Sequence, residues 1–157
     1  MKRMHIHVGV ESLDQSIKFY TALFDAQPAK TKEDYAKWML DDPFVNFAIS
    51  TRPGKTGIDH LGLQVDDNAE LEQVRDRLKN ADMAVFDEGE TTCCYARSEK
   101  SWVEDPTGIA WETYQSMEDT ETYSLDTPTK RTACCVPESK GVSAGHISAD
   151  KSAGECC

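Results

Sequence analysis

The segment His5-Ile6-His7-Val8-Gly9-Val10-Glu11 returns 55 residues later as His60-Leu61-Gly62-Leu63-Gln64-Val65-Asp66. Each copy reads histidine, four residues, valine, acid, and then a helix start. In the first copy Ser12 is placed to cap the helix while Gln15 reaches back. In the second, Asp67-Asn68-Ala69-Glu70 has the same capping-box form. This duplication constrains the fold more than any other feature. Two equivalent modules bury apolar surface by pairing, and equivalent residues then face each other across the join.

The rest of the pattern fills in each module. Alternation predicts a strand over 4–10, with Val8 and Val10 in register with Met4 and with His5 and His7 on the other face. Leu13, Ile17, Tyr20 and Phe24, with Leu23 beside them, recur at helical spacing and predict one buried face. Short strands follow at about 27–31, 35–40 and 45–50, the last two joined by a turn at Asp41-Asp42-Pro43. Arg52-Pro53-Gly54-Lys55 breaks the pattern. The second copy predicts a strand over 58–65 and a helix with Leu71, Val74 and Leu78 inward. Strand-like stretches follow at 83–87, 92–97, 101–104 and 109–114, with a turn at Asp105-Pro106-Thr107-Gly108. The expected fold class is therefore α+β. Two β-α-β-β-β modules, about 1–55 and 56–115, form one curved mixed sheet around a cleft. Residues 116–157 contain few large apolar side chains and read as a flexible tail, with local packing at most near Tyr123 and Leu125.

All six cysteines occur as neighbours: Cys93-Cys94, Cys134-Cys135 and Cys156-Cys157. A disulfide scaffold spreads its cysteines so that bridges close loops. Adjacent pairs read instead as free dithiols in a reducing compartment, soft bidentate ligands for Cd(II), Zn(II), Hg(II) or trivalent arsenic. No apolar run approaches the roughly 18 residues of a membrane span, and the basic start lacks a following apolar segment. The expected location is the cytoplasm, without a membrane partner. A net charge of −11 argues against nucleic acid, which requires clustered Lys and Arg.

His5 and His60 are equivalent in the repeat, so the fold should bring them together. Glu112 lies between Trp111 and Thr113 on the last predicted strand, where a carboxylate is costly to bury unless it is paired or metal-bound. Its counterpart in the first module falls near Ala48, which cannot ligate. Three donors and an open side follow. Two imidazoles and one carboxylate with open positions suit Fe(II) and O2; Zn(II), Ni(II) or Co(II) also fit. His7 shares the face of His5 and is the alternative ligand; the overlay favours His5 and leaves His7 behind the ligands. Cys93 and Cys94 can hold one soft atom together only in a loop or bulge, because strand neighbours point to opposite faces. Tyr95, Trp102 and Trp38 either line the pocket or fill the sheet core. Lys100 and Ser101 are expected on a loop over the site, as a lid.

The two β-α-β-β-β modules resemble the glyoxalase/dioxygenase, or vicinal oxygen chelate, superfamily. The motifs that carry this are a histidine on each first strand, SLDQSIKFY at 12–20, DHLGLQV at 59–65 and DPTGIAWE at 105–112. With Cys93-Cys94 before the last strands and cysteine pairs in the tail, the chain is similar to the ArsI-type organoarsenical lyases, which have a cadmium-induced branch. That resemblance implies Fe(II) on His5, His60 and Glu112, O2 as co-substrate, and a trivalent organoarsenical held by Cys93 and Cys94. The carbon–arsenic bond would be cleaved and arsenite released. A homodimer is compatible with it. The competing reading is a cytosolic dithiol protein that binds Cd(II) or As(III) without catalysis; it uses the thiols but has no need of an open metal site. A metal-dependent thiol transferase would leave the cysteine pairs without a purpose.

Overall fold

Each copy of the repeat folds as expected in outline. The computed structural model describes residues 1–93 and 95–119. The first module comprises β1 (Arg3–Gly9), α1 (Leu13–Phe24), β2 (Lys30–Lys32), β3 (Tyr35–Asp41) and β4 (Phe44–Ser50). The second comprises β5 (Gly57–Val65), α2 (Asn68–Asn80), β6 (Phe86–Cys93), β7 (Ala96–Glu104) and β8 (Ala110–Asp119). The eight strands form one curved mixed sheet in the order β2-β3-β4-β1-β5-β8-β7-β6. Within each module the first strand lies parallel to the last, β1 to β4 and β5 to β8. The modules meet where β1 and β5 pair antiparallel.

Local chemistry sets the helix starts. Ser12 Oγ accepts from the Gln15 amide, and Asp67 Oδ1 accepts from the Glu70 amide at 2.8 Å. Glu70 returns a carboxylate oxygen to the Asp66 amide. Each cap satisfies a backbone N–H that the first helical turn leaves open. Leu13, Ile17, Tyr20 and Phe24 pack on Ala36, Trp38, Val45, Phe47 and Ile49, with Met4, Ile6, Val8 and Val10 from β1. Leu23, expected beside this stripe, is exposed instead, as is Phe19. Leu71 and Val74 are the buried apolar residues of α2. The buried Arg75 ties α2 to β6 and β7 through Asp87 and Glu99.

The second module differs from expectation in its strand boundaries. Residues 86–93 and 96–104 form two long strands where three short ones were expected. The polar runs Glu88-Gly89-Glu90 and Ser98-Glu99-Lys100 looked like breaks. They are alternating strand positions: Ser98 and Lys100 line the cleft, while Glu99 reaches Arg75. Gly89, at φ 78°, absorbs a bulge. β8 continues through Asp119, where Ser116, Glu118 and Asp119 still pair with β7 across a register shift. The expected tail beyond that strand, with Tyr123, Leu125, Cys134, Cys135, Cys156 and Cys157, lies outside the described residues. Among the described residues no helix is long and apolar enough to cross a membrane.

Candidate metal centre

Strand alternation sends Met4, Ile6 and Val8 toward α1 and leaves His5 and His7 on the concave face. The β1–β5 register sets His5 opposite Gly62 and His7 opposite His60. On β8, Glu112 lies beside Gly62. His5 Nε2 and His60 Nε2 are 3.2 Å apart, and Glu112 Oε2 is 3.7 and 3.6 Å from them. All three residues are buried.

The outward ring atoms decide what this triangle can hold. His5 Nδ1 is 3.1 Å from the Asn46 carbonyl oxygen, and His60 Nδ1 is 2.8 Å from Asp59 Oδ2. Both partners only accept, so each Nδ1 carries the proton and each Nε2 presents a lone pair inward. Two imidazole lone pairs and a carboxylate oxygen therefore converge on one point. They repel one another unless a cation lies between them. The triangle is small enough for all three atoms to reach one ion at bond lengths of about 2.0–2.2 Å. The donor set fits a divalent metal with further positions open.

The titration behaviour expresses the same demand for positive charge. Burial, reinforced by His60, pushes His5 down to about 3. Burial would also lower His60, but the nearby carboxylates of Asp59 and Glu112 outweigh that and raise it. Burial would raise Glu112; Lys100, then His60 and His5, outweigh it and hold the carboxyl well below the usual range. Lys100 Nζ donates to Glu112 Oε1, the oxygen turned away from the histidines. His7, pushed down to about 3 by burial and by His60, is bonded through Nε2 to Ser50 Oγ at 2.9 Å. It stands behind His60, with ring centroids 4.9 Å apart, and outside the donor triangle.

Asp59 reaches His60 although the two are consecutive on a strand. The β1–β5 register jumps from His7–His60 to Val8–Ile58, so Asp59 is the extra residue of a bulge and is re-aimed to the side of its neighbour. Period-two reading of the sequence sends Asp59 to the opposite face, which is why it was missed. Asp59→Asn is expected to weaken metal binding about ten- to a hundredfold by withdrawing the carboxylate that holds the His60 tautomer. Competition with a chelator measures this, and an affinity equal to the parent's would count against the assignment.

The other expected residues divide. Cys93 ends β6, with its backbone opposite Ala96, just short of the turn at Tyr95. Cys94 and the Cys93 side chain lie outside the described residues. Tyr95, at φ 61°, anchors this turn to the first module. Its hydroxyl donates to Asp34 Oδ1 at 2.7 Å, and its carbonyl accepts from Lys30 Nζ at 2.9 Å. Trp102 stands edge-on to His60, with centroids 5.3 Å apart, and lies close to the centre. Trp38 does not line the cleft; it is fully buried under α1 and donates to the Ala26 carbonyl. Lys100 and Ser101 form no loop or lid. Both are buried within β7, and the lysine that looked like a surface residue is the ion-pair partner of Glu112.

Residues 2–113 match the Glyoxalase/Bleomycin resistance protein/Dioxygenase superfamily. The chain belongs to this superfamily. Within the superfamily it is 40% identical over 141 residues to the trivalent organoarsenical cleaving enzyme of Bacillus sp. (strain MD1), covering 88% of this chain and 85% of that one. It is 34% identical to the trivalent organoarsenical cleaving enzyme of Thermomonospora curvata, each chain covered in full. The superfamily fold also appears in an extradiol ring-cleaving dioxygenase from B. fuscum. That match has a TM-score of 0.57 and 14% identity, covering 76% of this chain and 34% of that one.

Proposed function

We propose that this chain cleaves the carbon–arsenic bond of trivalent organoarsenicals, methylarsenite and trivalent aryl arsenicals, and releases arsenite in the cytoplasm. His5, His60 and Glu112 would hold Fe(II), O2 would be the co-substrate, and Cys93 and Cys94 would hold the arsenic. The observation that carries this reading is the convergence of three lone-pair donors at one buried point, in a cleft whose wall includes Ala96, opposite Cys93. The names of the two relatives point to the same substrate class.

Held by His5, His60 and Glu112, Fe(II) would supply the redox chemistry that makes O2 reactive. The chain's own residues do the rest. Two thiolates exchange for the two hydroxyls of an arsenical and hold arsenic by sulfur, for which imidazole and carboxylate have little affinity. The third substituent, carbon, then projects from the arsenic in a fixed direction, and this positioning lowers the barrier. Lys100 neutralises the outer oxygen of Glu112 and keeps it an anion. Because arsenic leaves still trivalent, it is carbon that is oxidised. Methylarsenite plus one O2 contains the atoms of arsenite plus formaldehyde.

The test is arsenite release from methylarsenite by anaerobically Fe(II)-loaded protein, before and after admitting air, with His60→Ala and Cys94→Ser alongside. Release that requires air and disappears in both variants is the expected result. Tight arsenical binding without release, kept in His60→Ala and lost in Cys94→Ser, would leave a sequestering dithiol protein.

A further inference from the structure

The two modules can be superposed residue by residue through their registers, and the superposition exposes an exchange of bulk. Ala48 pairs with His7, two residues after the first repeat histidine. Glu112 pairs with Gly62, two residues after the second. Ala48 is thus the first-module counterpart of Glu112, and His7 that of Gly62. In the second module the strand-one residue has no side chain and its neighbour is a long carboxylate. In the first the strand-one residue is a buried imidazole and its neighbour a methyl group. Gly62 cannot grow: a Cβ there would run into the Glu112 carbonyl oxygen and stand 3.2 Å from its Cβ.

The next position follows the same rule. Tyr35 pairs with Ser50, two residues after Ala48, as Lys100 pairs with Tyr114, two residues after Glu112. The second module therefore sets a Lys100–Glu112 ion pair against the centre. The first sets Tyr35 and Ala48, buried together with Tyr95. Tyr95 directly follows Cys94.

We propose that the vacated ligand place at Ala48, left by the methyl side chain and flanked in the cleft by Tyr35, with Tyr95 packed against both, receives the organic substituent of the arsenical. Resting on the function proposed above, this makes Ala48 the residue that sets which substituents are accepted, and His7 the residue that fills the space a fourth ligand would need. Ala48 and Tyr35 give the place an apolar and aromatic flank on which a methyl or aryl group can rest, while Lys37, His7 and Asn46 line the cleft beside it. The place shares one cleft with the three donors and with Ala96, which pairs with Cys93 at the end of β6, so carbon would face the metal while arsenic stays with sulfur.

Two variants test this with Co(II) in place of iron and a trivalent phenyl arsenical as probe. His7→Gly with Ala48→Glu restores the second-module arrangement. It is expected to hold Co(II) at least about tenfold more tightly against a chelator, as a fourth donor should, and its ligand-field absorption should no longer respond to the arsenical. Ala48→Val fills the place without adding a donor, and a β-branched residue suits a strand. It should keep the parent's Co(II) affinity and, reloaded with Fe(II), lose at least about tenfold in kcat/KM for the phenyl relative to the methyl arsenical, a penalty in line with overfilling a close pocket. A Co(II) spectrum that responds to the probe equally in parent and double variant would overturn the proposal, as would equal losses for both substrates in Ala48→Val. Should the parent prove to bind without cleaving, the function proposed above falls, and the Co(II) spectra still decide whether Ala48 opens onto the metal. If the double variant does not fold, binding of the two arsenicals to Ala48→Val decides it alone.

Discussion

Glu112→Gln is expected to lose metal binding by at least two orders of magnitude and to destabilise the metal-free protein at the same time. The substitution preserves shape and removes charge. Oε2 is the third donor of the triangle, and a neutral amide oxygen is a much poorer ligand for a divalent ion than a carboxylate. Oε1 faces Lys100 in a site where both side chains are almost fully buried. Breaking a buried ion pair from one side costs about 3–5 kcal/mol, because the ammonium remains in a place shaped for its counter-charge. That is a large part of the roughly 5–15 kcal/mol that holds a domain folded. Metal titration and urea unfolding of the metal-free protein read the two effects separately. Metal affinity within twofold of the parent would remove Glu112 from the ligand set. An unchanged unfolding midpoint would show that the Lys100 pair contributes no net stability.

Gly62→Ala is expected to do comparable damage through a single methyl group. The obstructing atom is backbone, the carbonyl of Glu112 on the neighbouring strand, so no side chain can turn aside. β5 and β8 must separate where they hold His60 and Glu112 in place. Overpacking of this kind costs about 1–3 kcal/mol and shifts backbone, and the donor triangle loses its spacing as well. Gly54→Ala is the control, since a methyl there meets nothing within 4 Å. A Gly62→Ala protein with the parent's melting temperature and metal affinity would refute the close approach of the two strands at this point.

The residues differ in how well their sequence announced them. The duplication was visible because His5 and His60 head segments of the same pattern, histidine, four residues, valine and acid, each before a capped helix, and the pairing of β1 with β5 agrees with it. Helix starts were visible because Ser12 and Asp67 carry cap chemistry that acts within a few residues. Ala48 could be matched to Glu112 by counting, since parallel strands keep step. Lys100 was misread because a strand lining a polar cleft alternates polar residues on both faces and so loses the apolar signature of a strand. Asp59 was passed over because a bulge changes which side a residue faces without leaving a mark in composition. Trp38 was ambiguous because a large aromatic serves a core and a pocket equally well, and only its packing under α1 decides.

The candidate centre lies on the seam between the modules, with His5 contributed by one and His60 and Glu112 by the other. Two identical halves related by a twofold axis would have to present two carboxylates or none. They could offer a closed cage or a bare pair of histidines, but not a cage open on one flank. Linking both copies in one chain lifts that restriction, since each can then change without the other. A single polypeptide can therefore grip a metal from one side and leave the other side for a reactant.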